Sequence, residues 1–155
     1  MSAIATDTHG LVITCPSCGT RNRMTFDHIG RTHRCGKCRT DLPQPDVPVE
    51  ATSTEMFDDL VASAAVPLVV DYWAPWCGPC RYVAPELEKV ARRRAGELLV
   101  VKVNTDELQE LGARYSIRSI PTLAVFHKGH EVGRSAGARP ADALEAFVRE
   151  SLASH

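Results

Sequence analysis

Apolar residues run almost without interruption over residues 67–73, where Leu68, Val69, Val70, Tyr72 and Trp73 flank a single charge, Asp71. A short run rich in β-branched and aromatic residues predicts a buried strand. Over residues 81–94 the period changes. Val83, Leu87, Val90 and Ala91 recur at helical spacing, with Pro85 inside and expected to kink the helix. Strands follow over 98–103, 122–127 and 131–136, with Lys128-Gly129 as the turn between the last two. Helices are predicted over 106–115 and over 141–152, the latter carrying Leu144, Phe147, Val148 and Leu152 on one face. Upstream, 47–51 reads as a first strand, and Thr52-x-x-Glu55 resembles a capping box for a helix over 56–64. The order βαβαβ then ββα predicts an α/β fold, a mixed sheet with helices on both faces and right-handed crossovers in its parallel units.

The first forty residues follow no such rhythm. Leu11-Val12-Ile13 suggests a strand, and residues 24–26 and 32–34 suggest a short hairpin. Then three prolines fall within residues 41–48, which predicts an extended, semi-rigid linker. The organisation expected is a small module over 1–42, ordered from about 11, a linker over 43–48 and a larger domain over 47–155.

Charge divides at the same place. Residues 11–42 hold six Lys/Arg against two Asp, about +4, and residues 46–155 hold twelve against sixteen acidic groups, about −4. The net formal charge of −1 excludes a polyanion binder by bulk charge. No apolar run approaches the ~20 residues of a membrane span. Residues 1–10 carry no Lys, Arg or apolar core segment, so no secretory signal is expected and the cytoplasm is the expected compartment. In a reducing compartment six Cys point to metal binding or redox catalysis rather than to a disulfide framework.

All six fall in C-x-x-C units. Cys15, Cys18, Cys35 and Cys38 form two pairs with sixteen residues between them, inside the spacing window of a structural zinc site. A segment of about 30 residues cannot bury enough apolar surface to fold unaided. Two C-x-x-C turns that close a tetrahedron around one Zn²⁺ would supply the deficit. The module is therefore expected to be a zinc ribbon, with His28 and His33 as the alternative ligands. Gly19 follows Cys18, where a tight turn favours positive φ. The second pair has its glycine inside, at Gly36, so its turn is expected to be built differently.

The third pair, Cys77-Gly78-Pro79-Cys80, stands between the apolar strand and the amphipathic helix. Cys77 is thus placed at a helix N-terminus, where unpaired N–H groups and the macrodipole favour a thiolate. Pro79 suits the first helical turn.

Trp73-Ala74-Pro75-Trp76-Cys77-Gly78-Pro79-Cys80 closely resembles the active site of the thioredoxin family, and the resemblance covers about 105 residues from Val47 onward. Asp71 stands where that family keeps a buried Asp behind the dithiol, and Lys102 where it keeps a Lys nearby. Ser119-Ile120-Pro121-Thr122 matches the loop whose cis-proline faces the catalytic pair, and Ala136-Gly137-Ala138 matches a glycine that opens the substrate groove. A four-Cys extension ahead of such a domain resembles the bacterial zinc-containing thioredoxin-2 group.

The resemblance implies a thioredoxin fold and a protein-disulfide reductase. Cys77 would attack, Cys80 would resolve, Asp71 would accept a proton and Lys102 would tune it. Trp76, Gly78, Pro79, Ile120, Pro121 and Gly137 would bind substrate. Partners implied are disulfide-containing proteins and an NADPH-dependent thioredoxin reductase. One structural Zn²⁺ and no organic cofactor are expected, as is no membrane or nucleic-acid partner. Two alternatives stand beside this: a zinc-ribbon binding module with the redox domain as regulator, and a redox switch in which oxidation of the four cysteines ejects zinc.

Overall fold

The structure, a computed structural model, describes residues 4–154. Two sheets organise it. The smaller has the order β1-β2-β3, from β1 (Ala5–Thr6), β2 (Gly10–Thr14) and β3 (Arg21–Thr25), all antiparallel. The larger has the order β4-β6-β5-β7-β8, from β4 (Val49–Glu50), β5 (Leu68–Trp73), β6 (Leu99–Asn104), β7 (Thr122–His127) and β8 (His130–Ala136). β4, β6 and β5 run parallel, while β7 and β8 are antiparallel. Helices α1 (Thr54–Ser63) and α3 (Gln109–Arg114) cover one face, and α2 (Gly78–Arg93) and α4 (Ala141–Ala153) the other. This is the thioredoxin fold, a mixed sheet between two helical layers.

Side chains alternate across the sheet, so each strand feeds two cores. Val70 and Tyr72 pack with Met56, Phe57, Leu60 and Leu111 on the α1/α3 face. Val69 joins Val83, Leu87, Val90 and Leu144 on the α2/α4 face. Asp71 shares the parity of Val69 and therefore points toward α2.

Several local expectations shift. The cap of α1 is Ser53, not Thr52: its backbone is extended and its Oγ accepts from Met56 N at 3.0 Å. α3 begins at Gln109 rather than at residue 106, because Asn104 Oδ1 accepts from the N–H groups of Asp106 and Glu107 and holds them in a turn. Arg93 donates to Asp142 and Glu145 at 2.9 Å, and Arg94 to Glu145 at 2.5 Å, so they tie α2 to α4.

The hairpin expected between residues 24–26 and 32–34 does not form. β3 pairs instead with β2, Leu11 opposite Met24, because Leu11, Ile13 and Met24 need one buried face. Thr32 and Arg34 are exposed, and Arg34 makes only an isolated bridge to Asp41.

The N-terminal module packs against the larger sheet rather than trailing from it. Leu11, Met24, Phe26, Ile29 and Leu42 are buried in the same apolar cluster as Val49, Met56, Phe57 and Leu60. The proline-rich stretch is part of this junction. Pro45 is buried, and the Gln44 side chain accepts from Gly30 N and donates to Arg31 O, both at 2.8 Å. Gly30 abuts Val66 and Gly96, which precede β5 and β6. These contacts lie at the end of the parallel strands opposite the C-x-x-C turn that follows β5.

Candidate functional site

β5 delivers the chain through Ala74-Pro75-Trp76 into the third C-x-x-C. Cys77 N donates to Ala74 O at 3.1 Å, closing the turn. Cys77 is the N-cap of α2, with Pro79 in the first helical turn, and its sulfur accepts from Cys80 N at 3.2 Å. Cys77 and Cys80 are joined as a disulfide, their Cα atoms 5.4 Å apart, and both are nearly buried. Gly78 and Pro79 are exposed beside them.

The Ile120–Pro121 peptide is cis. Pro121 O accepts from Gly137 N at 2.9 Å, which brings the two substrate-groove candidates together. Gly137 has φ +94°, and no atom stands within 4 Å of where a Cβ would project, so this edge is open. Trp76 is 70% exposed, and its Nε1 donates to Asp106 Oδ1 at 3.3 Å. With Ile117, Ile120 and Gly112 it lines a cavity of about 550 Å³. Sequence reasoning missed Tyr82, which is 77% exposed on α2 and lines a shallow depression with Ala138, Arg139 and Pro140. An aromatic residue on the polar side of an amphipathic helix was the available signal.

Asp71 is 1% exposed, and neither of its carboxylate oxygens has a hydrogen-bond partner among the described residues. Burial pushes its carboxyl up to about 7, against the opposing pull of Lys102. Lys102 is its register partner on β6. The Lys102 ammonium, however, lies 4.5 Å from the centre of the Trp73 ring and 4.0 Å from Glu50 Oε1. Glu50 was not singled out from sequence. Its relevance depends on β4 lying beside β6.

At the other end, Cys15, Cys18, Cys35 and Cys38 converge, with all four sulfurs within 4.8 Å of one another. Cys15 Sγ stands 3.6 Å from Cys38 Sγ, and Cys18 Sγ 3.6 Å from Cys35 Sγ. A tetrahedral ion with Zn–S bonds of about 2.3 Å sets an S···S edge of roughly 3.8 Å, so the cluster fits such an ion. His28 and His33 lie outside the four-sulfur group. The N–H groups of Cys38 and Lys37 favour the thiolate of Cys35 and hold it down to about 6, and Asn22 Nδ2 adds a contact at 3.5 Å.

The two turns of this cluster share one design. Gly19 N donates to Cys15 O and Arg39 N to Cys35 O, at 2.9 and 3.0 Å. Cys15 N donates to Thr20 O and Cys35 N to Thr40 O, both at 2.8 Å. The expected difference between them is thus corrected: Arg39, at φ +67°, takes the left-handed position held by Gly19 at φ +77°.

Comparison with known proteins agrees with this geometry. The thioredoxin family model matches residues 48–150. Thioredoxin 1 of Nostoc sp. is 46% identical over 96 residues, covering 62% of this chain and 90% of that protein. Thioredoxin C-3 of Corynebacterium nephridii is 32% identical over 142 residues, 92% of this chain and 96% of that one, so its similarity extends into the four-Cys module. Among solved structures, a mutant thioredoxin from Halobacterium salinarum aligns with TM-score 0.64 at 30% identity, covering 70% of this chain and 93% of that one. With its fold, its Cys77–Cys80 disulfide and these relatives in agreement, the chain belongs to the thioredoxin family and is a thioredoxin-type disulfide reductase.

Proposed function

We propose that the chain reduces disulfides in partner proteins through a two-step cycle at Cys77 and Cys80. In the reduced protein the Cys77 thiolate attacks a partner S–S bond. A Cys77–partner bond forms, and the other partner sulfur leaves as a thiolate that takes up a proton. Cys80 then gives its proton to Asp71 and attacks the Cys77 sulfur. The Cys77–Cys80 bond forms and the second partner sulfur leaves, protonated in turn from Asp71. Two electrons have passed to the partner. Exchange runs through thiolates, so the proton's position sets the rate. Trp76, Gly78, Pro79, Ile120, Pro121 and Gly137 present the surface on which the partner's extended chain rests, and Lys102 adjusts Asp71.

The observation that carries this reading is the disulfide at the N-cap of α2, where the helix end favours an anionic Cys77. An NADPH-driven, flavin-dependent thioredoxin reductase regenerates the dithiol, and the cytoplasm is the compartment in which that supply operates. Cys15, Cys18, Cys35 and Cys38 hold one Zn²⁺ as a structural ion that fixes two loops of a small module. In this reading the module serves no nucleic acid, and Arg23 and Arg34 pair with Asp7 and Asp41.

Insulin reduction coupled to NADPH oxidation, run beside zinc analysis, tests this. Cys77→Ser should abolish turnover, Cys80→Ser should trap mixed disulfides, and Cys35→Ala should lose zinc. Full turnover by Cys77→Ser, or zinc-free native protein after anaerobic purification, would refute the corresponding part.

A further inference from the structure

Three ionisable side chains stand in one row across the parallel strands. Glu50 on β4 pairs in register with Lys102 on β6, and Lys102 with Asp71 on β5. All three share the face toward α2, since Asp71 has the parity of Val69, and Lys102 that of Val100, both in the α2-side core. One cation is therefore set between two carboxylates of unequal exposure. Asp71 is sealed in, while the Glu50 side chain is half-exposed at the edge.

The cation is not shared evenly. Lys102 Nζ reaches Glu50 at 4.0 Å and rests over the Trp73 ring, whereas Asp71 has no hydrogen-bond partner among the described residues. A buried carboxylate beside a lysine would ordinarily gain from drawing the ammonium in. We propose that Glu50 is a positioning residue for disulfide exchange: it holds the Lys102 ammonium toward the sheet edge and so weakens the hold of that ammonium on Asp71. This rests on the reading of Asp71 as the proton acceptor for Cys80.

Two effects act in the same direction. Glu50 occupies the one cation in the row, and its own charge repels a charge on Asp71. Both keep the Asp71 carboxyl protonated at higher pH than Lys102 alone would allow. Among the described residues, no other charged group reaches Asp71 from the elements around it. Its partner on β7 is Leu123, and α2 presents Cys80, Val83 and Leu87 as its buried residues above this face. The buried Glu145 of α4 is held by Arg93 and Arg94. Glu50 itself faces Lys102, with Glu107 as a further repelling charge, and burial raises its carboxyl.

The test is a titration of the Asp71 carboxyl carbon by NMR in the full-length oxidised protein, with pH profiles of kcat/KM for insulin reduction in parallel. Glu50→Gln should move the Asp71 midpoint toward acid by roughly one unit, the scale of a nearby opposite charge. The acid limb of the rate profile should move with it. Lys102→Met should move the midpoint upward, and Glu50→Gln added to Lys102→Met should shift it by less than half as much as in wild type. Glu50→Gln should have no effect on the rate profile in an Asp71→Asn background.

An unchanged Asp71 midpoint in Glu50→Gln would overturn the proposal, as would a rate shift that persists in Asp71→Asn. If Asp71→Asn itself keeps the wild-type rate and profile, the proton-acceptor reading fails and takes Glu50's part in exchange with it. An intact NMR shift in Glu50→Gln would identify that case.

Discussion

Gly19 and Arg39 occupy the same place in two matching C-x-x-C turns, each donating its N–H to the carbonyl of the first cysteine, and each with positive φ. Glycine takes this conformation freely, while a residue with a Cβ is strained there by about 1–2 kcal/mol. At Gly19 the space for a Cβ is open, so Gly19→Ala should cost only the backbone term, about 1 kcal/mol. Arg39→Gly should stabilise the module by a similar amount, since the same strain and the same unfolded-chain entropy enter with opposite sign. Zinc affinity by chelator competition, with thermal midpoints, checks both. A loss of stability in Arg39→Gly, or no effect of either change, would show that the turns are not equivalent.

The strands buried on both faces were legible because their apolar runs are short and rich in β-branched residues. The expected strand at residues 122–127 is β7 residue for residue. The small module was less legible. Met24-Thr25 could pair on either side, and only the shared burial of Leu11, Ile13 and Met24 selects β2, a non-local fact that spacing does not carry. In the second turn Gly36 drew attention from Arg39, which carries the unusual backbone. The four-sulfur cluster and the Cys77–Cys80 pair were both visible as motifs. The engagement of Lys102 with Glu50 was not, because it depends on the order β4-β6-β5, in which sequence neighbours are separated.

Asp71 should make the protein's stability depend on pH. Its carboxyl sits near 7 in the folded chain against 3.8 for the free group. A group raised on folding contributes its stability fully below the unfolded value and loses it as pH rises through the folded value. Stability should thus fall between about pH 4 and pH 7 and level off above. A shift of roughly three units corresponds to at most about 4 kcal/mol. Asp71→Asn removes this slope. Urea unfolding of both proteins at pH 4 and pH 8 should show the variant gaining about 2–4 kcal/mol relative to wild type at the higher pH. Parallel changes in the two proteins would contradict it.

The junction between module and domain is apolar and close-fitting. A Cβ at Gly30 would collide with Val66 and with the carbonyl of Gly96, and φ there is +92°. Gly30→Ala should therefore loosen the junction without touching a cysteine. We expect a loss of about 2 kcal/mol, or roughly 4–8 °C in the thermal midpoint. Gln44→Ala, which removes two hydrogen bonds to the module, should cost about 1–2 kcal/mol. A chain starting at Val47 should still reduce disulfides, because Cys77, Asp71 and Pro121 all lie beyond it, but it should melt lower than the full chain. An identical midpoint would mean that the shared apolar cluster contributes nothing.

Trp76 offers a way to separate docking from chemistry. Its ring is exposed, and its Nε1–H is held by Asp106 beside the cavity that Ile117 and Ile120 also line. A protein partner can lay apolar surface on this ring, whereas a small disulfide reaches the sulfurs without it. Aromatic residues at the centre of an interface commonly carry about 2 kcal/mol or more. Trp76→Ala should then raise KM for insulin by about 10-fold or more with little change in kcat, the mark of lost uniform binding. Reduction of a small aromatic disulfide should change by less than about 2-fold. Asp106→Asn keeps an acceptor for the indole but weakens it, so its effect should have the same pattern and a smaller size. If kcat falls equally for the protein and the small substrate, Trp76 acts on the sulfurs themselves and the docking role is wrong.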